Sequence, residues 1–493
     1  MPQIDHKKIG DIVNRYLKAK GLPLKTALAF ADVFIVDRKS RVRKRSDINH
    51  LGTRLARNLT LNIPIVSANM ADVTESQMAI TLARLGGCGF IHQFLPIERR
   101  VEEIKRVKRA DNEVIDGPWR VHESTTLHEF LNRFPRGAGV LVVNDRNHLV
   151  GIVTNRDIRF VRHESTERIK FLEVKDIMTP MPLVTARPGI SAEEATRILE
   201  REKLEKLPIV NEVGEPVGLI TTQDILKKYM YPSAARDRRG RLIVGASVGI
   251  SGRVLEETVA LVNAGADAIL VDTARGNAEW PEDVIRDIRT HFPNLPIIAG
   301  NVDNPEGCIT LAEAGADCVK VGIGPGSACK TRTETGIGTP QLSAIAECVA
   351  VARELGVTVI ADGGVKEGGD LAKAIVAGAD SVMLGGMLGG TEETPGELIY
   401  DAHEIFKVYR GSAGIDTQLA RIGEGNLDRV RAPEGVTRKI PYKGQSVKTV
   451  VNNLMENLRS SMSYANATTI GEMQRGRLRL QTPAGFYEGQ PKK

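Results

Sequence analysis

From residue 240 onward the sequence repeats one unit: a short apolar run, a few small or polar residues, then a helical segment. The runs are RLIVGASVG (241–249), ADAILVDTA (266–274), PIIAGNV (296–302), ADCVKVGIG (316–324), VTVIADGG (357–364) and ADSVMLGG (379–386). Segments such as VLEETVALVNAGA and DLAKAIVAGA lie between them. Alternating strand and helix implies a parallel sheet, and continuous apolar runs imply strands covered on both faces. AGAD recurs at 264–267, 314–317 and 377–380. It reads as a helix C-cap glycine turning into the next strand. IPIVSANM (63–70) and GGCGFIH (86–92) continue the style upstream. The set predicts an α/β fold, a (β/α)8 TIM barrel. A doubly wound sheet is the alternative, but glycine-rich strand ends recur on too many units for a single switch point.

A different pattern interrupts the barrel. HLVGIVTNRDI (148–158) and EPVGLITTQDI (215–225) form an internal repeat, preceded by GAGVLVVND and EKLPIVNE. Two β-α-β-β-α copies of roughly 60 residues resemble a tandem CBS (Bateman) pair, and DIMTP (176–180) opens the second copy as it often does in that family. Charged, turn-rich joints at 109–118 and 231–242 mark the insertion. The expected domains are a catalytic barrel from 1–112 and 233–493, and CBS halves at about 113–172 and 173–232. The resemblance implies that Thr154 with Asp157, and Thr221 with Asp224, contact ribose and phosphate of regulatory purine nucleotides. The same pairs serve as helix caps.

The formal net charge is +6, small for 493 residues. The basic stretch DRKSRVRKRS (37–46) has no interleaved aromatics. It fits a solvated face or an anionic small molecule better than a nucleic-acid groove. The N-terminal segment MPQIDHKKIGDIVNRYLKAKG has no apolar run that could serve as a signal peptide, and no stretch approaches the length of a bilayer span, so neither a nucleic-acid nor a membrane partner is expected. The five cysteines are odd in number and form no CxxC. Reduced thiols and a cytoplasmic location are expected, with no zinc site.

One cysteine stands apart. In VKVGIGPGSACKTRTETGIG, Cys329 follows a loop of small residues at the C-terminal end of a predicted strand, where barrel active sites lie. Lys330 and Arg332 flank it, and neighbouring cations favour the thiolate. Cys329 is therefore a candidate nucleophile; the other reading is an idle loop thiol.

The loop GIGPGSACKTR, followed by TGIGTPQ, resembles the catalytic loop of the IMP dehydrogenase/GMP reductase family. ANMADVTE (68–75), VDTARG (271–276), GNV (300–302), ADGGV (361–365) and VMLGGMLGGTEETPGE (382–397) have counterparts in order, so the resemblance covers nearly the whole chain. It implies attack by Cys329 on C2 of a purine nucleotide. In IMP dehydrogenases a hydride then passes to NAD and water hydrolyses the adduct. In GMP reductases ammonia leaves GMP and NADPH supplies the hydride. By the same resemblance Asp362 holds ribose hydroxyls, while Gly364, Gly385, Gly386, Ser327 and Tyr409 hold the 5′-phosphate. Arg431 and Gly435 join the substrate site. Asp272, Thr273, Asn301, Gly322 and Gly324 meet the cofactor. Carbonyls of Gly324, Gly326 and Cys329 form half of a potassium site that a neighbour's tail (here 483–490) completes. Homotetramers or octamers are implied too.

The segment 409–444 bears on reaction direction. Dehydrogenases place a water-activating Arg-Tyr pair in a mobile flap; this chain has Asp428-Arg429-Val430, and the stretch is short for a full flap. RAPEG (431–435) fits the reductase form, in which Glu434 and Thr331 protonate departing ammonia. TEETPGE (391–397), YRG (409–411) and the insert are dehydrogenase-like. Lys330 and Ser412 depart from both patterns. The balance predicts a GMP reductase, with IMP dehydrogenase as the alternative and a non-catalytic nucleotide sensor as a third reading.

Overall fold

Eight short parallel strands pair in sequence order and close on themselves. They are β1 (Ile65–Ser67), β2 (Cys88–Ile91), β3 (Gly245–Val248), β4 (Ala268–Asp272), β5 (Ile297–Val302), β6 (Cys318–Val321), β7 (Thr358–Asp362) and β8 (Ser381–Leu384). Each of β1 to β7 is followed by a helix on the outside, the longest being Gln341–Leu355, and Val447–Tyr464 follows β8. This is the (β/α)8 barrel expected from the repeat. The computed structural model describes all residues except 1–3, 5, 24–25, 112–114, 135–138, 160–168, 170, 251, 402–403, 416–432, 443 and 490–493. No helix among the described residues is long and apolar enough to cross a membrane.

The AGAD repeat has a physical job. Gly265, Gly315 and Gly378 end their helices in the left-handed conformation. The aspartate two residues later then ties the start of the strand before it in the barrel. Asp267 Oδ2 accepts the Val244 N–H at 2.8 Å, Asp317 Oδ2 that of Ile297 at 2.9 Å, and Asp380 Oδ2 that of Val359 at 2.9 Å. The backbone of each pair answers: the aspartate N–H donates to the carbonyl of Val244, Ile297 or Val359. Lys108 and Arg289 neutralise Asp267 and Asp317 at 2.6 Å each. Burial pushes the Asp267 and Asp380 carboxyls up. A hairpin, Thr53–Ala56 with Leu59–Leu61, covers this N-terminal rim; Thr53 Oγ1 donates to Asp380 O at 2.7 Å, and Arg57 pairs with Asp317 at 2.9 Å.

Inside the barrel Phe90 lies against Gly245, its cross-strand neighbour. A Cβ at position 245 would stand 2.2 Å from the Phe90 ring. Gly245→Ala is therefore expected to cost about 1–3 kcal/mol by overpacking, read as a lowered thermal unfolding midpoint. An unchanged midpoint would show that the ring has room to turn.

The chain divides into two compact units, Met1–Ala110 with Ser233–Lys493, and Asp111–Pro232. The second has a four-stranded sheet ordered Thr179–Pro180, Leu149–Val153, Val140–Val143, Arg120–His122, and a three-stranded one ordered Lys206–Val210, Pro216–Thr221, Ile115–Asp116. Its two repeats exchange edge strands: Ile115–Asp116 pairs in the second repeat's sheet, and Thr179–Pro180, within the DIMTP segment, in the first's. Leu141, Leu149, Ile152 and Leu219 form a shared core, so neither repeat buries its apolar face alone.

Candidate active site

A cavity of about 1760 Å³ opens at the C-terminal ends of the barrel strands. Cys329, Thr331 and Glu434 all line it. Cys329 Sγ lies 3.1 Å from Thr331 Oγ1, and Thr331 begins a short helix, Thr331–Thr335. Glu434 arrives from a distant part of the sequence and is fastened by its backbone. The Lys330 N–H donates to Glu434 O at 2.7 Å, Val436 N–H to Ala328 O at 3.0 Å, and Cys329 bridges Gly435. The Cys329 loop thus has a second strand laid along it, which fixes the thiol between two backbones. The flanking cations take separate places, and Arg332 interacts electrostatically with Cys329. Lys330 is exposed and lies 4.0 Å from Glu334. Arg332 braces the loop, donating to Ile323 O at 2.9 Å and to Thr339 O.

The residues expected at a phosphate also meet on one wall. Tyr409 lies on a strand, Glu404–Arg410, its hydroxyl donating to Met70 Sδ at 3.5 Å, and Ser327 lines the same cavity. Gly385 and Gly386 let these hydroxyls approach the backbone: a Cβ at 385 would stand 2.7 Å from Tyr409 Oη, and one at 386 would stand 2.9 Å from Ser327 Oγ. Gly364 lines the same cavity. Burial pushes the Tyr409 phenol up to about 12, with Asp362 and Asp72 adding to the effect against Ser327. It stays a proton donor at neutral pH. Arg410 pins the strand, its backbone and guanidinium bonding Asp72 at 2.8 and 2.5 Å.

Opposite lies a polar network. Lys320, on β6, reaches Asp362 Oδ2 at 2.9 Å and Asp272 Oδ1 at 3.2 Å. Burial alone would depress this ammonium, but the two carboxylates outweigh it and hold its pKa above the ordinary lysine value. Asn301 Nδ2 donates to Asp362 Oδ2 at 2.9 Å and to Gly322 O at 2.7 Å. Gln93 donates to Asp272 Oδ2 at 3.0 Å. Thr273 and Gly324 line the same side. Sequence reasoning missed Lys320, Gln93 and Gln341, whose amide donates to Val321 O and Asp362 O at 2.9 and 3.1 Å. The signal for Lys320 was present: a lone charge inside the apolar run CVKV has to face a partner.

Arg431 and residues 428–430 lie outside the described residues. Of the three loop carbonyls, that of Gly326 accepts the Cys329 N–H at 3.0 Å. In the inserted unit the Thr-Asp pairs cap helices. Thr154 donates from N and Oγ1 to Asp157 Oδ2 at 2.6 and 2.8 Å, and Thr221 Oγ1 donates to Asp224 Oδ2 at 2.5 Å.

A family model described as IMP dehydrogenase / GMP reductase domain matches residues 27–492. An inosine-5′-monophosphate dehydrogenase of Aquifex aeolicus is 43% identical over 474 residues, covering 94% of this chain and 95% of the relative. One from Nitrosopumilus maritimus is 42% identical over 481 residues, covering 95% and 99%. Among solved structures, a GMP reductase variant of Trypanosoma brucei in complex with guanosine 5′-monophosphate superimposes with TM-score 0.87 at 38% identity, covering 97% of this chain and 99% of that one. The T. brucei GMP reductase in complex with guanosine 5′-triphosphate gives 0.78 at 35%, covering 94% and 99%.

Proposed function

The chain belongs to the IMP dehydrogenase/GMP reductase family of NAD(P)-dependent oxidoreductases, and from that premise we propose that it is a GMP reductase, converting GMP to IMP and ammonia. The observation that carries the direction is Val430. Where dehydrogenases of the family have the tyrosine that helps activate water, this chain has a side chain with no proton to exchange. Glu434, in its RAPEG setting, supports the same reading, since its backbone is tied to the Cys329 loop and it shares a cavity with Thr331.

In this reading the Cys329 thiolate adds to C2 of GMP. The amino group leaves C2 as ammonia, taking a proton from Glu434 relayed by the Thr331 hydroxyl. The bound NADPH supplies the hydride that C2 receives, and Cys329 departs as the thiolate to release IMP. Asp362 orients the ribose. Amides of Gly364, Gly385 and Gly386, with the Ser327 and Tyr409 hydroxyls, receive the phosphate; Arg431 and Gly435 complete the substrate site. Asp272, Thr273, Asn301, Gly322 and Gly324 border the cofactor. A potassium ion at the Gly324, Gly326 and Cys329 carbonyls and a homotetramer or octamer belong to the same proposal. The inserted unit reads as a CBS pair taking purine nucleotides at Thr154, Asp157, Thr221 and Asp224.

IMP dehydrogenase has its own support, because the curated relatives named above carry that activity over nearly their whole length. Two assays separate the readings. The reductase consumes reduced nicotinamide absorbance with GMP and NADPH, and leaves IMP with NAD and potassium unchanged. A rise in the second mixture with no loss in the first overturns the proposal.

A further inference from the structure

Two of the cavity's cations, Lys366 and Arg275, enter no ion pair among the described residues. Lys320 is shared by Asp272 and Asp362, and Lys366 follows the Gly364 turn on the phosphate wall. Arg275 sits instead on the loop after β4, and no ion pair engages it among the described residues. Its guanidinium lies over the Trp280 indole, 5.4 Å from the ring centroid, and both residues line the cavity. Trp280 is 44% exposed, so apolar ring surface is open to a ligand. The Arg275 N–H donates to Thr273 Oγ1 at 3.3 Å, which ties this corner to the cofactor side of the site.

We infer that Arg275 selects the cofactor, its guanidinium being placed for the 2′-phosphate of a 2′-phosphorylated adenine dinucleotide. The inference rests on the oxidoreductase reading of the cavity, and not on reaction direction. Indole and guanidinium surfaces both stack on a purine. That puts the adenosine, and not the nicotinamide, beside Arg275. A stacked guanidinium keeps its N–H edge in a fixed plane, the geometry that grips a phosphate with two parallel bonds. Charge argues the same way. Glu257, Asp272, Asp362 and Glu434 also line the cavity, so an extra phosphate dianion needs its own cation there.

The test uses ligands that transfer no hydride. The full-length protein carrying Trp119→Phe is titrated with 2′,5′-ADP and with 5′-AMP, following quenching of Trp280; the substitution silences the other tryptophan, which lies in the inserted unit that takes purine nucleotides in the proposed reading. With Arg275 intact it is expected to bind 2′,5′-ADP at least about tenfold more tightly than AMP, the worth of one charge-assisted contact. Arg275→Ala should erase that preference while AMP affinity stays within about threefold, and Arg275→Lys should keep part of it. Equal binding of both compounds with Arg275 intact overturns the inference. So does equal weakening of both in Arg275→Ala, which would assign the arginine to the shared 5′-phosphate. If the enzyme proves to oxidise IMP, that appears only in the absorbance assays, and the titration still decides the role of Arg275.

Discussion

Cys329→Ala is expected to abolish turnover, by about a thousandfold or more in kcat, while the dissociation constant for the purine nucleotide stays within a few-fold. The reasoning is local. The loop around Cys329 is held by backbone bonds, Lys330 N–H to Glu434 O, Val436 N–H to Ala328 O and Cys329 N–H to Gly326 O. None of them uses the sulfur. Among the described residues its one side-chain bond is to Thr331, so the alanine variant keeps the loop and loses the nucleophile. Single-turnover assays and calorimetric titration with GMP and IMP read the two quantities separately. Retained turnover would exclude covalent chemistry at Cys329. Loss of both turnover and binding would mean that the thiol supports the loop after all.

Lys320→Met carries the second large effect. It leaves Asp272 and Asp362 facing each other without their shared cation, and removing one partner of a buried ion pair costs about 3–5 kcal/mol. Both carboxylates keep some contact with the cavity, which favours the lower end. Unfolding by denaturant should show the loss. Lys320→Met with Asp272→Asn should recover part of it, because the repulsion is then removed. Activity of the single variant should fall at least about tenfold, since Asn301 and Lys320 together orient Asp362. The pH dependence follows from the sign of the shift. A lysine whose folded pKa is raised contributes its full stabilisation below the ordinary lysine value and loses it as pH climbs through the raised one. The ion pair should therefore hold through neutral and mildly basic solution. A variant as stable as the wild type would mean that water, and not Lys320, compensates the two carboxylates.

The barrel was legible because parallel strands covered on both faces leave continuous apolar runs, and the runs recur at helix-length intervals. The Cys329 loop was legible because small residues concentrate there and a thiol has no packing to do. Other features escaped for physical reasons. Lys320 stands out as the lone charge of CVKV, but the run does not say which carboxylates meet it. Gln93 reaches the cavity from the end of β2, and Arg275 and Trp280 from beyond the end of β4, so only closure of the barrel joins them. The edge exchange in the inserted unit rests on two-residue strands, too short to carry any period. The cap glycine of AGAD was visible, but its aspartate was not, because the N–H it ties belongs to another strand.

That tie has an evolutionary consequence. The carboxylate latches sit at one rim and the reactive groups at the other, so three of the eight strand junctions are tied by bonds far from the cavity. Loops at the reactive rim can then be lengthened, shortened or recoded without loosening the hoop beneath them. Oxidising IMP and reducing GMP differ in a proton path and a flap, both carried by such loops. A lineage can move from one reaction to the other by editing the rim it uses, while the rim it stands on stays closed.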